Sequence, residues 1–189
     1  MYMSLDNYIA DAVRTESQLD TISTNKEVLL AVLRLSIASG NLLDMVKKEI
    51  FYGKPIDQTR WWNYLCDAET QMHEIEDGSF EVPVQDCPEI GCNTRLLHSA
   101  IGISTEGAEL LEAMVSHLTD GTPIDEVNFR EEIFDTMWYG LIAHDAMRSS
   151  IDKTLIAGFN KLRARYPDKF TSEDAINRDL DVERAILEQ

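Results

Sequence analysis

Apolar residues recur along most of the chain at intervals of three and four, the period of an amphipathic helix and not the alternation of a half-buried strand. Leu5, Tyr8, Ile9 and Val13 share one face and predict a first helix over residues 4–20. Thr24-x-x-Glu27 has the form of a capping box, which pairs the free amides of a first helical turn with side-chain acceptors. It opens the long run VLLAVLRLSIASGNLLDMVKKEIF, which ends near Tyr52-Gly53. Pro55-Ile56-Asp57 then supplies a turn and an N-cap for a helix through Trp61, Trp62 and Leu65 to about Glu76. The stretch DGSFEVPVQDCPEIG, punctuated by Gly78, Pro83, Pro88 and Gly91, reads as a loop with a short extended piece around residues 80–84.

The second half repeats the plan. Asn93 or Thr94 caps a helix RLLHSAIGISTEGAELLEAMVSHL that stops at Asp120-Gly121. Pro123-Ile124-Asp125 again makes a turn and a cap, for the helix EVNFREEIFDTMWYGLIAHDAMRSS. A further helix is expected over residues 152–165, halted by Tyr166-Pro167, and Thr171-x-x-Asp174 caps a last polar helix. The predicted architecture is an all-α helical bundle. It forms one domain over residues 1–189, made of a helical half at 1–77 and a second half at 93–189.

An offset of 68 residues lays one half on the other. Gly53-x-Pro55-Ile56-Asp57 falls on Gly121-x-Pro123-Ile124-Asp125, Leu42-Leu43-Asp44 on Leu110-Leu111-Glu112, and Asp67 on Asp135. Two readings account for this: an internal duplication, or two helix–turn–helix units sharing turn chemistry. Under the offset Glu106, Glu109 and Glu132 meet Ala38, Asn41 and Tyr64, so only the second half carries the acids.

Charge changes the picture most. Seventeen basic side chains against 34 acidic ones leave a net charge of −17. Such a surface repels phosphate backbones and anionic lipid, so neither a nucleic-acid polymer nor a membrane is an expected partner. No run of apolar residues reaches the length of a membrane span, and the first residues lack the pattern of a signal peptide. Cys66, Cys87 and Cys92 have no C-x-x-C spacing and are odd in number, which fits a reduced, cytoplasmic setting. A protein this acidic that works on a polyanion needs a metal to bridge the two.

Acid-x-x-acid spacing is common in the chain, and two copies stand out by context. Glu106 and Glu109 lie among Ile103, Ala108, Leu110, Leu111 and Met114; Glu132 and Asp135 lie among Phe129, Ile133, Phe134, Met137 and Trp138. Residues three apart share a helix face. The turn at Gly121–Asp125 makes the two helices antiparallel neighbours, with both pairs within about four turns of it at ~1.5 Å per residue. Neither helix offers a base four residues on, since Glu106 meets Leu110, Glu109 meets Ala113 and Glu132 meets Thr136. Carboxylates crowded together in an apolar bundle take up protons unless a cation neutralises them, and oxygen-only ligands favour Mg²⁺, Mn²⁺ or Ca²⁺.

Glu106-x-x-Glu109, 22 intervening residues and Glu132-x-x-Asp135 together resemble the signature of the all-α nucleotide pyrophosphohydrolases. That superfamily includes the MazG proteins, the dimeric dUTPases, the dCTPase-like enzymes and phosphoribosyl-ATP pyrophosphohydrolase. The phrases RLLHSAIGISTEGAEL, EEIFDTMWY and FNKLRARYPDKFTSEDAINRD look like a MazG-like branch, over residues 94–188. The resemblance implies that Glu106, Glu109, Glu132 and Asp135 hold Mg²⁺, with Mn²⁺ as a substitute. It implies hydrolysis of a nucleoside triphosphate between the α and β phosphates, with Glu109 as the choice for the group that takes the proton from water. Base-selective dUTPase- or dCTPase-type activity shares the same motif.

The densest basic run, Asn160-Lys161-Leu162-Arg163-Ala164-Arg165-Tyr166, is a local reversal of charge. Lys161 and Arg165 are four apart and suit phosphate oxygens, while cations in a last helical turn also offset the helix dipole. Asn160 and Tyr166 are weaker substrate contacts. His98 shares a face with Glu109 and either touches base or sugar or packs in the core. Trp138 is more readily a core aromatic than a stacking platform. A ferritin-like di-iron bundle needs Glu-x-x-His, which the chain lacks. The non-enzymatic alternative is a silent helical interaction or regulatory protein. The motif-bearing half offers two principal helices where the fold the resemblance implies completes its core from four, so either the N-terminal half or a second subunit supplies the rest, and a homodimer or higher homo-oligomer is expected.

Overall fold

The computed structural model describes residues 4–77 and 89–188, so the extended piece expected at 80–84, together with Cys87, lies outside the described residues. The described residues form eight helices: α1 (Asn7–Thr15), α2 (Lys26–Tyr52), α3 (Gln58–Asp77), α4 (Thr94–Asp120), α5 (Glu126–Ala146), α6 (Ile151–Arg165), α7 (Ser172–Ile176) and α8 (Leu180–Leu187). Two two-residue strands, Ile22–Ser23 and Glu89–Ile90, are the only extended pieces among them. The all-α bundle class follows directly.

The chain folds as two compact units that are discontinuous in sequence, Met1–Ile22 with Gly91–Ile156, and Ser23–Ile90 with Ala157–Gln189. The halves written along the sequence at 1–77 and 93–189 therefore exchange their ends. The N-terminal helix folds with the acid-bearing hairpin, and the basic run at the end of α6 folds with α2 and α3.

In the first unit, α4 and α5 form a helical hairpin. Asn93 caps α4 by accepting the Leu96 amide at 3.0 Å, and Gly121 ends it in the left-handed region at φ 69°, which glycine adopts without steric penalty. Asp125 caps α5 by accepting the amides of Val127 and Asn128. The helices meet closely at Gly102, where an added Cβ would lie 2.2 Å from the Tyr139 ring. Ser99, Gly102 and Ile142 are buried along this seam.

Helix α1 is fastened against α5 at several points. Arg95 donates to both oxygens of the Glu16 carboxylate, at 2.8 and 2.7 Å, and to Asp145 at 2.7 Å. The two carboxylates raise the already high pKa of Arg95 further, Glu16 most of all. The Trp138 indole donates to the Thr15 hydroxyl at 3.1 Å. Ahead of α1, Asp6 accepts from the Ser150 hydroxyl at 2.7 Å and the Ile151 amide at 2.8 Å, while Asp152 accepts from Ser4 and from the Leu5 amide. The helix is shorter than residues 4–20 because Glu16 turns extended, at ψ 135°, where its carboxylate meets Arg95.

In the second unit, α2 and α3 form a hairpin in the same frame. Asn25, not Thr24, caps α2, accepting the amides of Glu27 and Val28, and Gly53 ends it at φ 66°. Moving the bounds of α2 by 68 residues gives those of α4, and the same step carries Asn25 to Asn93, Gly53 to Gly121, Asp57 to Asp125 and the start of α3 to that of α5. The two helices are equal in length, at 27 residues each. The C-terminal segment packs by Tyr52, Phe170 and Tyr166, with neighbouring ring centroids 5.6 and 5.4 Å apart. The expected last helix is broken in two, because Asn177 leaves helical geometry and Asp179 caps α8 by accepting the Val182 amide.

The expectation that no segment has the length and apolarity of a membrane span needs correction. By length and composition alone α2 does, with a mean hydropathy of 1.5 over its best window. Arg34, Ser36, Ser39, Gly40 and Asn41 interrupt a strictly apolar run, while the Leu, Ile, Val and Ala around them keep the average high. Here α2 packs against α3 and α7.

Candidate functional site

Four carboxylates in the first unit were expected to converge, and three do so tightly. One oxygen from each of Glu106, Glu109 and Glu132 lies within 4.8 Å of the other two. Spacing of three on α4 puts Glu106 and Glu109 on one face. The hairpin turn brings Glu132 of α5 to the same level. Asp135 is outside this tight group but near it, since its charge acts on Glu132 and it shares a cavity wall with Glu106.

The three acids differ in surroundings. Glu132 is 7% exposed, Glu106 half-buried and Glu109 exposed. Burial pushes the Glu132 carboxyl above the usual range, and the hydrogen bond and charge of Glu106 add to this, followed by Glu131 and Asp135. The Asn128 amide donates to Glu132 Oε1 at 3.0 Å and fixes its orientation. Thr105 donates to Glu106 Oε1 at 3.4 Å. Burial, then the charges of Glu106 and Asp135, raise the Tyr139 phenol as well. A negative field of this kind, with oxygen donors from both helices of a hairpin, fits a hard divalent cation.

A half-open cavity of about 980 Å³ adjoins the acids. Glu106 and Asp135 stand in its wall, and the remainder is mainly apolar and aromatic, including Phe134, Trp138 and Tyr139 of α5 and Tyr8 of α1. Its volume falls within the range of small-molecule sites.

No family model, curated protein or solved structure matches the chain.

The other residues singled out from the sequence are placed as follows. His98 packs edge-on against Trp138 and Tyr139, with ring centroids 6.4 and 5.4 Å away, and does not line the cavity. Trp138 does line it. Lys161, Arg165, Asn160 and Tyr166 belong to the second unit. Arg165 donates to Glu183 Oε1 at 2.7 Å, and its side chain is 14% exposed. Glu183 is gripped from its other side by Arg178 at 2.6 Å, and the two guanidiniums, Arg178 first, hold its carboxyl down at about 2. Asn160 accepts from Arg163 at 3.0 Å, and Tyr166 packs on Phe170. Lys161 is half-buried and has no carboxylate partner among the described residues.

Sequence reasoning passed over Asn128, Thr15 and the Glu16–Arg95–Asp145 network. Asn128 had a signal in its spacing, four residues before Glu132. The other partners are 123, 79 and 50 residues apart, pairings that helical periodicity does not reveal.

Proposed function

We propose that the protein is a Mg²⁺-dependent nucleotide pyrophosphohydrolase, which cleaves a nucleoside triphosphate between the α and β phosphates to give the monophosphate and pyrophosphate. The observation that carries this reading is the meeting of Glu106, Glu109 and Glu132 within 4.8 Å, together with the resemblance of their spacing to the all-α nucleotide pyrophosphohydrolases. Mn²⁺ is the expected substitute.

A bound divalent ion supplies charge neutralisation for the phosphates and acidifies water. Glu106, Glu109 and Glu132 would hold the ion, with Asp135 as the fourth acid beside the cavity. Asn128 orients Glu132. Glu109, the most exposed of the three, is also our choice for the group that takes a proton from attacking water. The apolar cavity receives base and sugar, with the Trp138 and Tyr139 rings as walls.

Self-association belongs to the same reading. Leu111, Val115 and Leu118 of α4, and Val127, Phe134 and Met137 of α5, are all exposed. Apolar faces of this kind are commonly covered by a partner, here a second copy.

The decisive assay is a panel of canonical and modified (d)NTPs with Mg²⁺ or Mn²⁺, scored for pyrophosphate against orthophosphate. Pyrophosphate with monophosphate is expected. Release of orthophosphate alone, or no turnover with any nucleotide, would overturn the proposal.

A further inference from the structure

The hairpin of the second unit has a cavity where the first unit carries its acids. Under the offset, Glu106, Glu109 and Asp135 become Ala38, Asn41 and Asp67, while Gly102 and Tyr139 become Arg34 and Gln71. Those five residues of the second hairpin, with Ile37, line a half-open space of about 300 Å³. One carboxylate in place of four removes the donor set that a hard cation needs.

What replaces it is a divided polar lining. Arg34 meets Glu74 only at 3.8 Å, with both side chains about half exposed. Asp67 has no hydrogen bond or ion pair among the described residues. Gln71 is 8% exposed, and its Oε1 has no hydrogen-bond partner. A buried acceptor left bare is costly, and a half-turn of the terminal amide presents either its oxygen or its nitrogen to the cavity. The wall therefore holds a guanidinium and an amide that donate, together with a carboxylate and an orphaned carbonyl that accept.

We propose that this cavity binds a free α-amino acid. Its carboxylate sits on the Arg34 fork and the Asn41 amide, which suits bidentate guanidinium geometry. Its ammonium, with three donors and no acceptor, is shared by Asp67 and Gln71 Oε1. Ile37 and Ala38 form the apolar surface for the side chain. A nucleobase lacks an aromatic wall to stack on here. A nucleotide phosphate would face Asp67, Glu74 and a net charge of −17 with one arginine to offset them.

The test uses the full chain in EDTA, titrated with each standard amino acid and with its N-acetyl and carboxamide forms, followed by calorimetry and amide NMR. At least one free amino acid should bind saturably, and blocking either end should weaken binding by about tenfold or more. Arg34→Met and Asp67→Asn should do the same with helicity retained, and Glu106→Gln should leave affinity unchanged. Arg34→Lys, which keeps the charge but loses the fork, gives a second variant should Arg34→Met fail to fold. Absence of saturable binding, equal binding of the blocked forms, displacement by nucleosides, or unaltered affinity in Gln71→Leu would each overturn the assignment. Turnover of nucleotides in the other unit is independent of all these outcomes.

Discussion

From Asn25 to Asp77, and again from Asn93 to Asp145, the chain lays down an Asn-capped helix of 27 residues, a left-handed glycine, a short turn and an Asp-capped helix. The seam between the helices then diverges. Ala31 and Ser99 are buried at matching positions, but Gly102 and the fully buried Ile142 of the first unit correspond to Arg34 and Glu74, an exposed ion pair at 3.8 Å. Where small and apolar residues close the seam, a ring of acids is held at one level. Where Arg34 and Glu74 take those places, three of the four acids are gone and a polar cavity lies beside the seam. Turn and cap chemistry, repeated in both, sets the frame; a handful of seam residues sets what the frame can bind.

The sharpest way to break this comparison is to remove the acids. Glu106→Gln or Glu132→Gln should lower pyrophosphate release by on the order of 10²–10³-fold, since several kcal/mol of charge stabilisation is lost and each 1.4 kcal/mol is tenfold. Thermal stabilisation by Mg²⁺ should vanish in the same variants. An unaltered response to Mg²⁺ would remove the distinction drawn between the hairpins.

The converse is to install the acids. Ala38→Glu, Asn41→Glu and Tyr64→Glu, combined with Arg34→Gly, recreate the first unit's pattern around Asp67. Each chain should then take up a second equivalent of metal, with stabilisation of about 2.7 kcal/mol at a hundred times Kd. If stoichiometry stays where it was, frame and acids together do not make the site, and seam residues beyond these four are also required.

How much of this was legible in the sequence follows from the range over which each signal acts. Helix bounds at Tyr52, Asp120 and Arg165 and caps at Asp57, Asp125 and Thr171 are set within a few residues by local chemistry, and were read from it. So was the pairing of Glu106 with Glu109, which share a helix. The meeting of both with Glu132 needed one further step, the hairpin turn. The interleaved units were not legible, because nothing local reports that α1 is fastened through Glu16 to Arg95, 79 residues away. The basic run misled in part for the same reason. Its charge reversal was plain, but Glu183, which claims Arg165, lies in a later helix that was read as continuous with α7.

That clamp gives a prediction of the second unit's own. Glu183→Gln leaves Arg165 and Arg178 without their shared anion, and the loss should be about 3 kcal/mol, the scale for breaking a buried pair. Its folded pKa, at about 2, is lowered by the two guanidiniums. The contribution is therefore complete above the ordinary glutamate range and drains away as pH falls toward 2. Denaturation midpoints of wild type and variant should converge in acid. A constant gap down to the lowest pH would show that the anion is not what holds α8.

Closing the seam can be tested alone. Gly102→Ala forces a methyl group into the Tyr139 ring, which must shift. A cost of about 1–3 kcal/mol is expected from overpacking, along with weaker binding of metal because Glu132 shares a helix with Tyr139. Gly40→Ala, at a position of α2 with nothing within 4 Å, is the control and should be neutral or mildly stabilising. Equal effects at both sites would mean that the Tyr139 ring does not close on Gly102 as tightly as the contact implies.

The smallest effect is in the pH dependence of metal binding, and it separates the hairpins by charge state. Burial and Glu106 raise the Glu132 pKa in the folded protein. With the metal absent, the proton on Glu132 is favoured by folding, so this group's contribution is fully present below the ordinary glutamate pKa and is lost as pH rises through the raised value. A divalent ion has to displace that proton. Mg²⁺ affinity should consequently climb with pH across this window, by up to about tenfold per pH unit for one proton released. Calorimetric titrations in buffers of differing ionisation enthalpy count the proton directly. In Glu132→Gln the residual binding should release none. Should the wild type also release none between the ordinary and the raised pKa, Glu132 is already ionised before the metal arrives, and the crowding of acids inferred from the seam is relieved by some other group.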